Sequence, residues 1–118
     1  MQIDIQFRGL DTSPAMREHA ERRTQFTLGR HSARIARVSI SLADINGPKG
    51  GADKSCTVQI SLQQAEPVVV VEQGLDLQQV IDRGLARAGR TMVRRMERQT
   101  RQRYAPRGEH QPAEAESA

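Results

Sequence analysis

One α+β domain is the fold this sequence predicts: β-α-β-β-β-α, a four-stranded mixed sheet with two helices packed on one face. Three observations predict it. Four stretches either alternate apolar and polar residues or run through β-branched ones, as half-buried strands do. Two stretches open on a helix-capping residue and continue at helical spacing. The 118 residues, 36% hydrophobic and only 3% aromatic, make one domain with a largely aliphatic core.

The first element is Gln2-Ile3-Asp4-Ile5-Gln6-Phe7-Arg8, a strand with Ile3, Ile5 and Phe7 on one face. Gly9 to Ser13 turns the chain. Ser13-Pro14 then starts a helix, a capping oxygen followed by proline in the first turn. That helix should run to about Leu28 and end at Gly29. Its apolar stripe is thin: Met16, Ala20 and Thr27, with His19 and Phe26 alongside.

Alternation returns at Ala36, Val38, Ile40 and Leu42, and again at Cys56, Val58, Ile60 and Leu62. Asn46-Gly47-Pro48-Lys49-Gly50-Gly51 between them reads as a hairpin connection. A fourth strand, Val68 to Glu72, carries four consecutive valines. The first two strands should be parallel across the helical crossover, and the later pairs antiparallel.

Asp76 caps the second helix, with Gln79 as its capping-box partner. Leu77, Val80, Ile81, Leu85, Ala88, Met92 and Met96 recur at helical spacing and should be the buried face. The folded domain should cover residues 1–103. From Tyr104 to Ala118 no aliphatic residue is larger than Ala, so a disordered tail is expected there.

Several functions find no support. The single cysteine, Cys56, excludes an internal disulfide and a multi-thiolate zinc site, and its alternation with Val58 and Ile60 makes it a core residue. No apolar run reaches the ~18 residues of a membrane span, and Met1 to Leu10 does not read as a signal peptide. The expectation is a soluble, cytoplasmic domain. Asp44-Ile45-Asn46-Gly47 resembles the start of a calcium loop, but Ser55 stands where the bidentate Glu should fall, so a turn is the better reading. His19 and His31 have no carboxylate or thiol at matching spacing. With no acid/base pair, nucleophile or metal cluster in view, the chain reads as a binding protein that uses no cofactor, metal or small-molecule substrate.

The positive charge is more informative. The net charge is +4, and 16 of the 18 basic residues are Arg, which grips phosphate with a planar fork. A GC-rich codon bias would also favour Arg, so placement must decide. Residues 1–75 are nearly neutral, whereas residues 76–107 hold nine arginines against Asp76, Asp82 and Glu97. Arg83, Arg87, Arg90, Arg94, Arg98 and Arg101 are spaced 4, 3, 4, 4 and 3 apart. On a helix they fall within a sector of about 80° and span about 27 Å, opposite the apolar face.

A solvated basic face is the plain alternative. Against it, Glu97 is the only acid between Arg83 and Arg103, and arginines at i,i+4 repel without compensation. A polyanion-binding surface is favoured, with nucleic acid as the polyanion. The shortage of aromatics argues against stacked single strands and for folded RNA held through phosphates. Lys49 and Lys54, in a connection that holds three glycines, read as an auxiliary phosphate cradle.

This order of elements resembles the ribosome hibernation-promoting factor and ribosome-associated translation inhibitor family. So do Met1-Gln2-Ile3-Asp4-Ile5, Ala15-Met16-Arg17-Glu18-His19, Arg34-Ile35 entering the second strand, and the arginine-rich closing helix. The likeness covers about residues 1–103. It implies a double-stranded-RNA-binding-like fold that docks on the small ribosomal subunit, in the channel of mRNA and tRNA, and silences translation in stationary phase or stress. Arg83, Arg87, Arg90, Arg94, Arg98 and Arg101 would then contact rRNA phosphates, with Arg22 and Arg23 as weaker candidates.

Two features depart from the family: the connection from Asp44 to Cys56 is longer than its usual hairpin, and the first helix is less apolar. Long members carry a second domain that pairs two ribosomes. None is seen after Tyr104, so the expectation is a monomer that does not dimerise ribosomes by itself, though it could assist a partner that does. Two other readings stay open: a general structured-RNA module, and a regulatory domain whose arginine helix meets an acidic protein.

Overall fold

The computed structural model describes residues 1–44 and 54–104, with side chains as far as residue 100. Its elements are β1 (Gln2–Arg8), α1 (Pro14–Leu28), a 3₁₀ segment (Gly29–Arg34), β2 (Ile35–Asp44), β3 (Lys54–Leu62), β4 (Val68–Gly74) and α2 (Leu77–Tyr104). The expected β-α-β-β-β-α order is present. The expected hairpin at 46–51, with Lys49, and the tail beyond Tyr104 lie outside the described residues.

The strands lie in chain order, β1-β2-β3-β4. β1 and β2 are parallel, as a helical crossover allows. The other two pairs are antiparallel. On the helix side the register lines up three rows: Ile3–Val38–Ile60–Val68, Ile5–Ile40–Val58–Val70 and Phe7–Leu42–Cys56–Glu72. Val38, Ile40, Leu42, Cys56, Val58 and Ile60 are fully buried there. The third row ends in a carboxylate, Glu72, which faces α2. The opposite face is mostly Ser, Thr and Gln, as expected, except on β4, where Val69 and Val71 are exposed.

One strand differs from the expected alternation. A bulge between Ile35 and Arg37 places Ile35 in the core and turns Ala36 outward, so Ala36 is not the first inward residue of β2. Strict period-2 reading cannot see an inserted residue.

α1 keeps Ala20 and Met16 of the expected stripe against the core, but its inward face is turned toward Thr24 and Leu28. Its buried residues are Ala20, Thr24 and Leu28, whereas Phe26 is 78% exposed. Thr24 tolerates full burial because its Oγ1 donates to the Ala20 carbonyl at 2.7 Å. Ser13 caps the helix as expected, accepting from the Met16 N–H at 3.2 Å. Gly29 does not stop the chain in a left-handed turn; it keeps right-handed geometry and leads into the 3₁₀ segment.

Asp76 caps α2 as expected, its Oδ1 accepting from the N–H groups of Gln78 (2.9 Å) and Gln79 (3.4 Å), but the return bond of a capping box, from the Gln79 side chain, is absent among the described residues. Val80, Ile81, Leu85, Ala88 and Met92 are fully buried and Met96 nearly so. Each such side chain contributes about 1–3 kcal/mol of burial. Gly84 and Gly89 are buried too and set how close the helix sits. A Cβ at Gly84 would lie 3.3 Å from Val58 Cγ2 and 3.5 Å from Cys56 Sγ; one at Gly89 would lie 3.2 Å from Thr27 Cγ2. The two glycines cost about 1 kcal/mol each in helix propensity and are offset by close contact with β3 and α1.

Candidate nucleic-acid interface

The arginine row of α2 is positioned by its apolar face: burying Val80, Ile81, Leu85, Ala88 and Met92 on the sheet turns the opposite side outward. Arg83, Arg87, Arg90, Arg94 and Arg98 are all exposed. Arg101 lies within α2, and its side chain is outside the described residues. The row is thus continuous along the helix, but its members are not equivalent.

Arg83 and Arg87 are engaged by β4. Arg83 Nε is 3.6 Å from Glu72 Oε1, and its Nη2 donates to the Gln73 carbonyl at 3.0 Å. Arg87 Nη1 reaches Glu72 Oε2 at 2.9 Å and the Val71 carbonyl at 3.4 Å. Gly74 leaves the room for this, since a Cβ there would stand 2.8 Å from Arg83 Nη2. The compensating acid that the helix itself lacks therefore comes from the sheet. Further along, Arg95 turns to the carbonyls of Glu66 (3.2 Å) and Pro67 (2.6 Å), and Gln99 Nε2 donates to the Gln64 carbonyl at 2.6 Å. Gln64 has φ 65°, a left-handed turn that Gln99 thereby holds.

Arg90, Arg94 and Arg98 have no such anchor among the described residues. Nor have Arg22 on α1, or Arg30 and Arg34 in the 3₁₀ segment, all of them exposed. Arg30 and Arg34 were not among the sequence candidates, since no periodicity links them to the α2 row. They join it because α1 and α2 run side by side in the same direction: His19 and Arg23 meet Asp82, Thr27 meets Gly89, and His31 and Arg34 line one open groove with Val93, Met96 and Glu97.

Arg23 and Lys54, also sequence candidates, have partners within the fold. Arg23 Nε is 3.4 Å from Asp82 Oδ1, and its guanidinium lies over the Phe26 ring, 5.0 Å from the centroid. Lys54 opens β3 half-buried, 3.6 Å from Asp44 Oδ2. His19, which has no partner at matching spacing in the sequence, has one in space: its Nε2 is 2.8 Å from Asp82 Oδ1. This contact ties α1 to α2.

Cys56 is fully buried and its thiol is pushed up to about 12, first by burial and then by the Glu72 charge. It stays a protonated core side chain. Among the described residues no group of three or more His, Cys, Asp or Glu side chains could hold a metal ion, and no helix is long and apolar enough to cross a membrane.

Residues 3–100 match the family model described as Sigma 54 modulation protein / S30EA ribosomal protein. Among solved structures, the chain is similar to the Protein Y N-terminal domain of Thermus thermophilus, with a TM-score of 0.65 and 23% identity over 80% of this chain and 98% of that one. It is also similar to a ribosomal subunit interface protein from Coxiella burnetii, with a TM-score of 0.67 and 17% identity over 82% of this chain and 99% of that one. No curated protein matches the chain in sequence.

Proposed function

We infer a ribosome-directed role from one premise: the chain belongs to the Sigma 54 modulation protein / S30EA ribosomal protein family, whose members are ribosome-associated modulation factors. We propose that it binds rRNA of the small ribosomal subunit as a monomer in the cytoplasm and occupies the path of mRNA and tRNA. Translation stops, and the idle ribosome is protected, by occupancy rather than by chemistry.

The observation that carries this reading is the set of exposed arginines along the helix pair that have no partner among the described residues. Arg90, Arg94 and Arg98 leave their guanidinium forks open to phosphate oxygens, which they can hold bidentately. Arg22, Arg30 and Arg34 extend that surface on α1 and the 3₁₀ segment. Arg83 and Arg87, already held by Glu72, contribute field more than contact. Phosphate contacts of this kind position a protein on folded RNA and read little sequence.

The test is sedimentation of the full chain with intact ribosomes, free small subunits and an unrelated structured RNA, at low and near-physiological salt. Retention on ribosomes and small subunits alone at near-physiological salt is the expected result. Equal loss from all three as salt rises would leave a general structured-RNA binder, because phosphate contacts alone weaken steeply with salt on any RNA.

A further inference from the structure

Phe26 stands apart from every other aromatic side chain described. Phe7 is half-buried in the third row of the sheet, whereas Phe26 is 78% exposed on the outer side of α1. The ring is not loose on that surface. The Arg23 guanidinium covers it at 5.0 Å, and Arg23 is itself tied to Asp82 of α2. Ring and guanidinium form a stack assembled before any ligand arrives.

The surroundings say what such a stack would meet. Arg22 and Arg30 flank Phe26 along the chain, both exposed and without a partner among the described residues. The parallel run of the helices, with Asp82 level with His19 and Arg23 and Gly89 level with Thr27, brings Arg90 of α2 to the height of Phe26. An apolar protein pocket closing over the ring would have to take water from these guanidinium groups without replacing it. A nucleotide offers them phosphate while its base offers the ring a flat apolar face.

We propose that Phe26, backed by Arg23, stacks on one unpaired nucleobase of the bound RNA. The proposal rests on the rRNA reading above and adds a contact that phosphates alone would not supply. With no second exposed aromatic among the described residues, the site takes a single base. It favours RNA with a bulge or an open loop beside a helix.

The chain contains no tryptophan, so Phe26→Trp introduces a single indole at the site. This variant is titrated with two RNA hairpins that differ only by one bulged adenosine, and Phe26→Leu, Phe26→Trp and wild type are each titrated with small ribosomal subunits. Quenching should be strong with the bulged hairpin and weak with the plain one. Wild type and Phe26→Trp should bind small subunits alike, and Phe26→Leu about 5- to 150-fold more weakly with an unchanged salt slope.

Equal quenching by the two hairpins, or wild-type affinity of Phe26→Leu for small subunits, would overturn the proposal. Bulge-dependent quenching by a protein that does not bind small subunits would sink the ribosomal reading and leave the stacking contact standing.

Discussion

The two halves of α2 carry the same residue at the same spacing and put it to different use. In the N-terminal half, Arg83 and Arg87 are tied to Glu72 and to the free carbonyls of β4. In the C-terminal half, Arg90, Arg94 and Arg98 face solvent with no partner among the described residues. α1 and the segment after it divide less cleanly: Arg17 donates to the Ile5 carbonyl and Arg23 pairs with Asp82, while Arg22 between them and Arg30 and Arg34 beyond have no partner among the described residues. A periodic charge stripe is therefore not one functional unit. Arginines near the sheet edge hold the fold and blunt an edge strand, and those beyond it are free for a partner.

Neutralising each pair separately puts the largest strain on that division. Arg90→Gln with Arg94→Gln should weaken small-subunit binding by about 3 kcal/mol, roughly a hundredfold, as two charge-assisted contacts are lost. The slope of log affinity against log salt should flatten by about 1.5. The melting temperature should not move. Arg83→Gln with Arg87→Gln should do the reverse: a binding loss below about threefold, and a melting temperature lower by roughly 4 °C as Glu72 loses its partners. Thermal melts and salt-dependent titrations of the two double variants decide it. Equal binding losses would mean that the Glu72 pairs open on the RNA and that the halves act together.

What the sequence revealed follows the same line between local and distant. The strands were legible because alternation is a local signal, and so was the buried face of α2 from Val80 to Met96. The arginine row was legible as a row. Its division was not, because Glu72 lies on another element, 11 and 15 residues before the arginines it holds. The same holds for Asp82, which gives His19 a partner from 63 residues away. Other misreadings were of packing. Thr24 was not in the expected stripe of α1, yet it is buried with its hydroxyl satisfied by its own helix. Gly84 and Gly89 have no place in an apolar pattern and are where α2 meets β3 and α1. Phe26 looked like a neighbour of the apolar stripe until Thr24 and Leu28 took the inward positions.

Removing the acid instead of the arginines sharpens the comparison at smaller cost. Glu72→Gln releases Arg83 and Arg87, which are about half exposed, so the ion pairs are screened and the stability loss should be about 0.5–1 kcal/mol. Binding should strengthen about two- to fivefold, with a steeper salt dependence, since one negative charge leaves the surface and two guanidinium groups become available. A variant that binds RNA no better than wild type would show that Arg83 and Arg87 lie beyond the reach of the bound RNA, whatever their freedom.

At alkaline pH the comparison passes to the residue beside Glu72 in its row, Cys56. Burial and the Glu72 charge push its thiol from 9.0 up to about 12 in the folded protein. Below about pH 9 both folded and unfolded chains hold the proton and stability is unaffected. Between pH 9 and 12 the unfolded chain releases it while the folded chain keeps it, so stability should fall as pH rises through that window. Denaturation curves should show this extra fall in wild type and not in Cys56→Ala, whose cavity adds only a constant offset. In Glu72→Gln the fall should end at a lower pH, because the second of the two causes is gone while burial remains. A native thiol that reacts at pH 8 as fast as free cysteine would contradict the burial on which both the window and its dependence on Glu72 are built.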